Sequence, residues 1–177
     1  FQAIAPIISQ QTVQVGEITP SQSVSVFQVN GTDDELVPLV GGDGVAGNIF
    51  MSAQASAENW ALNAGCNMTP NMAMLVWGEY SVRQYEFDSC LDDRKVKYFI
   101  VEGAGHTANF GEDVDLYGLV WQFFNSTDAS QPGRNFKILA LGDSYTSGES
   151  VCRTCSFPEQ LKERLISEFS SQDLFEL

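Results

Sequence analysis

Three residues in the sequence carry side chains that could perform nucleophilic catalysis together. His106 is the only histidine in the chain and follows the sequence Val-Glu-Gly-Ala-Gly. Asp34 ends the run Val-Asn-Gly-Thr-Asp-Asp, and Ser144 ends a Gly-Asp-Ser triplet. An imidazole can take a proton from a hydroxyl group, and a carboxylate can orient that imidazole. These residue types predict acyl transfer if the fold brings an acid, a base and a nucleophile together.

Each of the three residues follows a stretch whose composition predicts a β-strand. Residues 21–30 and 96–102 are rich in β-branched and aromatic side chains, and 138–141 form an unbroken apolar run. In an α/β sheet, the loops beyond the carboxyl ends of strands carry the catalytic groups. The two glycines shortly before His106 would let the backbone turn there. A carboxylate of the cluster at 33–35 could therefore orient the His106 imidazole.

Ordinary explanations compete with this one. A lone histidine is more often a structural or surface residue than a general base. The carboxylates around Asp34 would also suit a solvated turn after a strand. Finally, Asp34, His106 and Ser144 could form a single triad in the acid, His, Ser order of subtilisin-like enzymes. A linker at 127–135 argues against that assembly, because it would place Ser144 in a different domain.

The remaining elements predict a mixed α/β chain. Ser52 is a plausible N-cap, and Gly65 a plausible end, for an amphipathic helix at 52–64. Two strands joined by a short turn, 72–77 and 81–87, follow it. The other predicted elements are a buried strand at 1–8, a helix at 113–125, a helix at 157–169 and a strand beginning at the C-terminal end.

The four cysteines fall in two pairs. Cys66 and Cys90 flank the two predicted strands, so we expect a disulfide between them; the alternative is two buried free thiols. Cys152 and Cys155 lie between Ser144 and the helix at 157–169. Their spacing favours a local disulfide or spare thiols over a zinc site or a redox dithiol.

The composition excludes several classes of protein. The 177 residues carry a formal net charge of −14, so nucleic acid and anionic membranes are not expected partners. No apolar run has the length of about 20 residues that a membrane span needs. No sequence motif predicts a metal or a cofactor.

The first part of the sequence resembles a known family of secreted enzymes. Residues 1–126 are similar to the C-terminal half of α/β-hydrolases of the polyhydroxybutyrate depolymerase and feruloyl esterase type. The matching pieces are Phe-Gln-Ala-Ile-Ala-Pro at 1–6, Val-Asn-Gly-Thr-Asp-Asp at 29–34 with Val-Pro at 37–38, the helix end at 60–66, Val-Glu-Gly-Ala-Gly-His at 101–106 and Trp-Gln-Phe-Phe at 121–124. The resemblance implies that Asp34 is the acid and His106 the base, in the order that α/β-hydrolases use. It also implies that these two side chains lie within hydrogen-bond reach of each other. Asn30 departs from the family, which usually has histidine there.

The family's nucleophile elbow, Gly-x-Ser-x-Gly, is absent from the 177 residues. The resemblance implies that this serine lies upstream of Phe1, together with the oxyanion-hole donors. We therefore expect the sequence to be a fragment, cut at both ends, of a protein that is secreted or periplasmic.

The last part of the sequence resembles a second family. Residues 136–177 are similar to the opening of an SGNH, or GDSL-like, esterase, through Ile-Leu-Ala-Leu-Gly-Asp-Ser-Tyr-Thr-Ser-Gly-Glu at 138–149. The resemblance implies that Ser144 is a nucleophile at the end of the first strand of a flavodoxin-like α/β domain. Together the two resemblances imply a two-domain carboxylic ester hydrolase that acts on a polyester, a feruloylated polysaccharide or a small ester. The alternative is a non-catalytic secreted module, derived from a hydrolase fold, that binds carbohydrate or polymer.

Overall fold

A mixed β-sheet organises the first part of the chain. The computed structural model describes residues 2–16, 19–126, 135–137, 163 and 174–176. The chain divides into two compact units, Phe1–Asp128 and Ala129–Leu177. Strands of the first unit are β1 (Ala3–Ile4), β2 (Ser25–Gly31), β3 (Gly42–Asp43), β4 (Ile49–Phe50), β5 (Asn71–Trp77), β6 (Tyr80–Phe87) and β7 (Val96–Val101); its helices are α1 (Val13–Gly16), α2 (Ala53–Asn63) and α3 (Leu116–Ser126).

Five strands form the main sheet in the order β1-β2-β7-β6-β5, and β3 and β4 form a separate antiparallel pair. Strands β1, β2 and β7 run parallel to one another, whereas β6 is antiparallel to both β7 and β5. The parallel strands are connected by long crossovers, and the tight turn at Gly78 joins β5 to β6. The predicted α/β class is confirmed at this level.

A helix covers each face of the sheet. On one face, α3 packs Leu116, Val120 and Phe123 into a core with the aromatic and β-branched residues of β2 and β7. On the other face, α2 contributes Ala53, Ala57 and Ala61, all fully buried. These alanines recur every four residues, so they share one side of α2 and let its backbone lie close to the sheet. Because it is covered on both faces, β2 is buried along its whole length.

Several predicted boundaries are confirmed by local contacts. Ser52 caps α2, since its Oγ accepts a hydrogen bond from Ala55 N at 3.1 Å. Gly65 follows the helix with a φ of 65°, a left-handed conformation that glycine adopts without strain. The predicted disulfide between Cys66 and Cys90 is also confirmed.

Two predicted boundaries are wrong. The helix expected at 113–125 begins at Leu116, because Asp115 Oδ1 accepts a hydrogen bond from Gly118 N at 2.9 Å and so caps the helix. The strand expected at 1–8 is only Ala3–Ile4 with an isolated bridge from Ile7 to Val29. Proline at position 6 supplies no N–H to a ladder, and Ile8 has a φ of 51°, which turns the chain away.

Of the second unit, the structure describes one pair of strands and residue 163. Strands β8 (Asn135–Lys137) and β9 (Leu174–Glu176) pair in parallel, and the latter is the strand expected at the C-terminal end. Ser144, Cys152 and Cys155 lie outside the described residues, as does all but residue 163 of the helix expected at 157–169. The identity of the two predicted domains stays a prediction.

The described residues also bear on membrane insertion and metal binding. Within the described ranges, no helix has the length and apolar character needed to cross a membrane. The same residues hold no group of three or more His, Cys, Asp or Glu side chains arranged to bind a metal ion.

Candidate active site

The two candidate residues of the first unit leave the sheet at the same edge. Strand β2 pairs in parallel with β7, with Gly31 opposite Val101 at their carboxyl ends. Asp34 lies three residues beyond β2, and His106 lies five residues beyond β7. Neighbouring parallel strands end side by side, so their loops begin next to each other. The sheet topology therefore brings together two residues that are 72 positions apart in the sequence.

Backbone hydrogen bonds tie these two loops together. Thr32 N donates to Val101 O at 3.1 Å, and Asp33 N donates to Ala104 O at 2.9 Å. In the other direction, Gly103 N donates to Thr32 Oγ1 at 2.7 Å. The loop before His106 also comes close to the end of β2, since a Cβ added at Gly31 would overlap the carbonyl oxygen of Ala104. Glycine is needed at this position because the approach leaves no space for a side chain.

Asp34 and His106 form a direct hydrogen bond. The distance between His106 Nδ1 and Asp34 Oδ2 is 2.9 Å, which confirms that the two side chains lie within reach. The Asp34 side chain is only 1% exposed, and that of His106 is 15% exposed. Water therefore cannot solvate the carboxylate freely, and the protein must supply its hydrogen-bond donors.

The second carboxylate oxygen of Asp34 is held by the backbone. Its Oδ1 accepts hydrogen bonds from Leu36 N and Val37 N, both at 2.9 Å. These bonds define the Asp34 turn, residues 34–38, in which the aspartate side chain folds back on the following amides. With Oδ1 occupied in this way, Oδ2 is fixed toward the imidazole.

This geometry determines which nitrogen of His106 can act as a base. An ionised carboxylate only accepts hydrogen bonds, so His106 Nδ1 must carry the proton that it donates to Asp34. In the neutral imidazole the basic lone pair is then on Nε2. A histidine held in this tautomer can take a proton from a nucleophile through Nε2, and the buried carboxylate stabilises the imidazolium that forms.

The structure brings together two of the three predicted site residues. Asp34 and His106 are adjacent, whereas Ser144 belongs to the part of the chain that is not described. Sequence reasoning missed the backbone donors at Leu36 and Val37. An aspartate followed by a tight turn is the pattern that could have predicted them, because Asp side chains often bond the amides two and three residues on.

Sequence reasoning also missed a buried polar side chain next to this turn, that of Gln10. Gln10 is 6% exposed, and its Nε2 donates to Pro38 O at 2.9 Å. No local sequence pattern indicates this contact, because the two residues are 28 positions apart.

Comparison of the sequence with protein-family models and with curated proteins gives no match.

Proposed function

We propose that Asp34 and His106 are the acid and the base of a serine hydrolase that cleaves carboxylic esters. The observation that carries the proposal is the 2.9 Å hydrogen bond between Oδ2 of the buried Asp34 and Nδ1 of His106. The other carboxylate oxygen, Oδ1, accepts hydrogen bonds from two backbone amides. The arrangement is the one that orients a general base.

The fold supports the α/β-hydrolase form of this proposal. The acid and the histidine follow neighbouring parallel strands, β2 and β7, in the order acid then histidine. That order and the quoted motifs agree with the family that the first 126 residues resemble. In this form the nucleophile is a serine of a Gly-x-Ser-x-Gly elbow that precedes residue 1 in the full protein, and Ser144 serves a separate SGNH-like domain.

The mechanism proposed is acyl transfer through a covalent intermediate. His106 takes the serine proton through Nε2, the serine oxygen attacks the ester carbonyl, and the same proton is given to the leaving alcohol. Asp34 keeps the imidazole in the required tautomer throughout. Water then attacks the acyl-enzyme while His106 takes one of its protons through Nε2. His106 gives that proton to the serine oxygen as the acyl–serine bond breaks, which releases the carboxylic acid and restores the serine.

The disulfide between Cys66 and Cys90 supports a location outside the reducing cytoplasm. We propose that the protein is secreted or periplasmic, as the resembled esterases are. Three classes of ester fit this proposal: polyester, feruloylated polysaccharide and simple aryl ester. A panel of hydroxybutyrate oligomers, feruloyl esters and short-chain aryl esters, offered to the complete protein, distinguishes them.

The test of the proposed function compares ester hydrolysis by the complete protein with that of His106→Ala. The proposal predicts loss of at least about 1000-fold in kcat, because removing one member of a catalytic triad disables the other two. Thr107→Ala, next to the histidine, is the control and should retain activity. Binding of polymer without turnover in the wild type would favour the non-catalytic module, and activity on peptide bonds alone would contradict an ester hydrolase.

A further inference from the structure

A chain of buried neutral side chains runs from the N-terminal segment to helix α2. Its members are Gln10, Asn30, Gln28 and Ser56, and each is at least nine-tenths buried. Asn30 Nδ2 donates to Gln10 Oε1 at 2.8 Å, and Gln28 Nε2 donates to Asn30 Oδ1 at 2.9 Å. Ser56 Oγ donates to Gln28 Oε1 at 3.0 Å. Buried polar groups of this kind are stable only in the arrangement that satisfies them together.

Gln10 is the member of this side-chain network that contacts Pro38, next to the candidate active site. Its Nε2 donates to two backbone carbonyls, that of Pro38 at 2.9 Å and that of Met51 at 2.6 Å. Its Oε1 is occupied by Asn30. All the hydrogen-bonding groups of the Gln10 carboxamide are therefore used, and each contact fixes a different part of the backbone or of β2.

Pro38 is the last residue of the Asp34 turn. The amide immediately before it, Val37 N, donates to Asp34 Oδ1. Gln10 therefore holds the far end of a turn whose near end holds the carboxylate. The Gln10 side chain also binds Met51 O. It therefore links the two ends of the segment 38–51, which contains β3 and β4.

We propose that Gln10 is a positioning residue for the Asp34–His106 pair: by holding Pro38, it keeps the Asp34 turn in the geometry that directs Oδ2 at the imidazole. The inference rests on the proposed function, because a positioning residue serves a catalytic pair. The stability of the Asp34 to His106 hydrogen bond can nevertheless be measured without any ester. It assigns no contact between Gln10 and a substrate.

A purely structural role for the same network makes a different prediction. At its far end, Ser56 joins β2 to α2, since it contacts Gln28 and also accepts from Gln11 N at 3.2 Å. Removing the Ser56 hydroxyl breaks two buried hydrogen bonds without touching Pro38. If the network only stabilises the fold, Ser56→Ala and Gln10→Met should disturb the site to the same degree.

The experiment measures how fast the proton on His106 Nδ1 exchanges with water. His106 is the only histidine of the chain, so its imidazole signals in a ¹⁵N-labelled 177-residue sample need no assignment. In Gln10→Met the exchange rate should rise at least about tenfold, because Pro38 O loses its side-chain donor and keeps only the local bond from Gly41 N. In Ser56→Ala it should stay within about threefold of the wild type, although both variants melt at lower temperature.

Wild-type exchange in folded Gln10→Met, or equal acceleration in Ser56→Ala, would overturn the proposal. Should Gln10→Met fail to fold, Gln10→Asn keeps a carboxamide that is one methylene too short to reach all partners, and it gives the same comparison. Failure of both to fold would also overturn the proposal, because Gln10 would then be a residue of the fold and not of the site. Absence of ester hydrolysis by the complete protein, together with tenfold faster exchange in Gln10→Met, would refute the proposed esterase and leave the positioning role intact.

Discussion

At the scale of single residues, the site depends on how one buried carboxylate is satisfied. Asp34 accepts hydrogen bonds from two backbone amides on Oδ1 and from the imidazole on Oδ2. Because Oδ1 binds the backbone amides and Oδ2 accepts from the imidazole, the local structure determines the tautomer of His106. It also makes the tautomer sensitive to a change of one atom.

Asp34→Asn should keep the turn and reverse the tautomer. The asparagine Oδ1 can still accept from Leu36 N and Val37 N, but its Nδ2 donates, so His106 Nδ1 must become the acceptor and Nε2 must carry the proton. Two-bond ¹H–¹⁵N correlation spectra of the single histidine should show Nδ1–H in the wild type and Nε2–H in the variant. The same tautomer in both proteins would mean that Asp34 does not orient the imidazole.

Tyr98 is a second buried group whose chemistry can be measured. It is 2% exposed, and no hydrogen bond to its Oη occurs among the described residues. Burial raises its pKa above the ordinary value of about 10, and the nearby Tyr85, whose ring centroid is 5.7 Å away, raises it further. Folding therefore favours the neutral phenol.

The sign of the resulting pH dependence follows from that shift. Below about pH 10 the neutral phenol is present in both states, and its stabilising effect is complete; above that pH the unfolded state ionises first, and stability falls. Tyr98→Phe should weaken this alkaline loss and change the free energy of unfolding at pH 7 by a gain of at most about 1 kcal/mol. Urea unfolding at pH 7 and pH 11 checks both values. A variant less stable by more than about 2 kcal/mol would show that Oη has a partner.

At the scale of elements, the ends of β2 and β7 decide whether the two loops meet. Gly31 is the contact point. The predicted strand ended one residue earlier, at position 30, and no sequence pattern indicated that the loop before His106 contacts Gly31. Gly31→Ala should separate the loops, since its Cβ would overlap the Ala104 carbonyl. The cost should be about 2 kcal/mol or more.

Gly105 provides the matched control for this substitution. A Cβ there meets only Asp33 O, at 3.8 Å, which is ordinary contact distance. Gly105→Ala should therefore leave both stability and the hydrogen-bonded His106 proton nearly unchanged, whereas Gly31→Ala should lower stability and weaken that proton's protection. Equal effects of the two alanines, measured by urea unfolding and by the imidazole spectrum, would contradict the close approach of the loops.

The disulfide lies near the start of β7, at the opposite end of that strand from His106. Cys66 follows α2, and Cys90 lies between β6 and the start of β7, whereas His106 follows the end of β7, roughly 20 Å along a six-residue strand. The double variant Cys66→Ser, Cys90→Ser should lose about 3 kcal/mol of stability, as expected for a bridge spanning 24 residues. The His106 tautomer should not change. A changed tautomer in the folded variant would show that the bridge also shapes the site.

At the scale of the whole molecule, sequence patterns predicted what depends on local periodicity. The β-branched and aromatic run into Asn30, the hairpin around Gly78 and the cap at Ser52 all carry their signal within a few residues. The structure has strands, a turn and a helix there. The Asp34 to His106 contact was expected from the family resemblance, and the sheet supplies its physical reason, because residues beyond neighbouring parallel strands meet at one edge.

The features that the sequence did not predict correctly depend on competing local signals or on long-range contacts. The apolar run at 1–8 is strand-like by composition, but Pro6 and the left-handed Ile8 interrupt it. Asp113 and Asp115 both suit a helix start, and only the side-chain bond to Gly118 selects the second. Gln10 reaches Pro38 across 28 residues and Asn30 across 20, distances at which no periodic pattern in the sequence carries information.

The division of catalytic groups also leads to a prediction for the whole molecule. Under the proposed function, the 177-residue chain alone holds an acid and a base without the serine that they activate, and Ser144 without its own base. It should show no appreciable hydrolysis of a short-chain aryl ester. A chain that turns over, and that loses this activity both in Ser144→Ala and in His106→Ala, would establish the cross-domain triad of Asp34, His106 and Ser144 instead.

The measurement that tests the central claim most directly is covalent trapping with a fluorophosphonate, whose phosphorus is attacked by an activated serine with loss of fluoride. Under the proposed function, the complete protein should be labelled on a serine that precedes residue 1, as located by peptide mass mapping. His106→Ala should reduce the labelling rate of that serine by at least about 1000-fold, because the hydroxyl then lacks its base. Labelling of that serine at the wild-type rate in His106→Ala, or no labelled serine that depends on His106, would contradict the claim that the Asp34–His106 pair is catalytic.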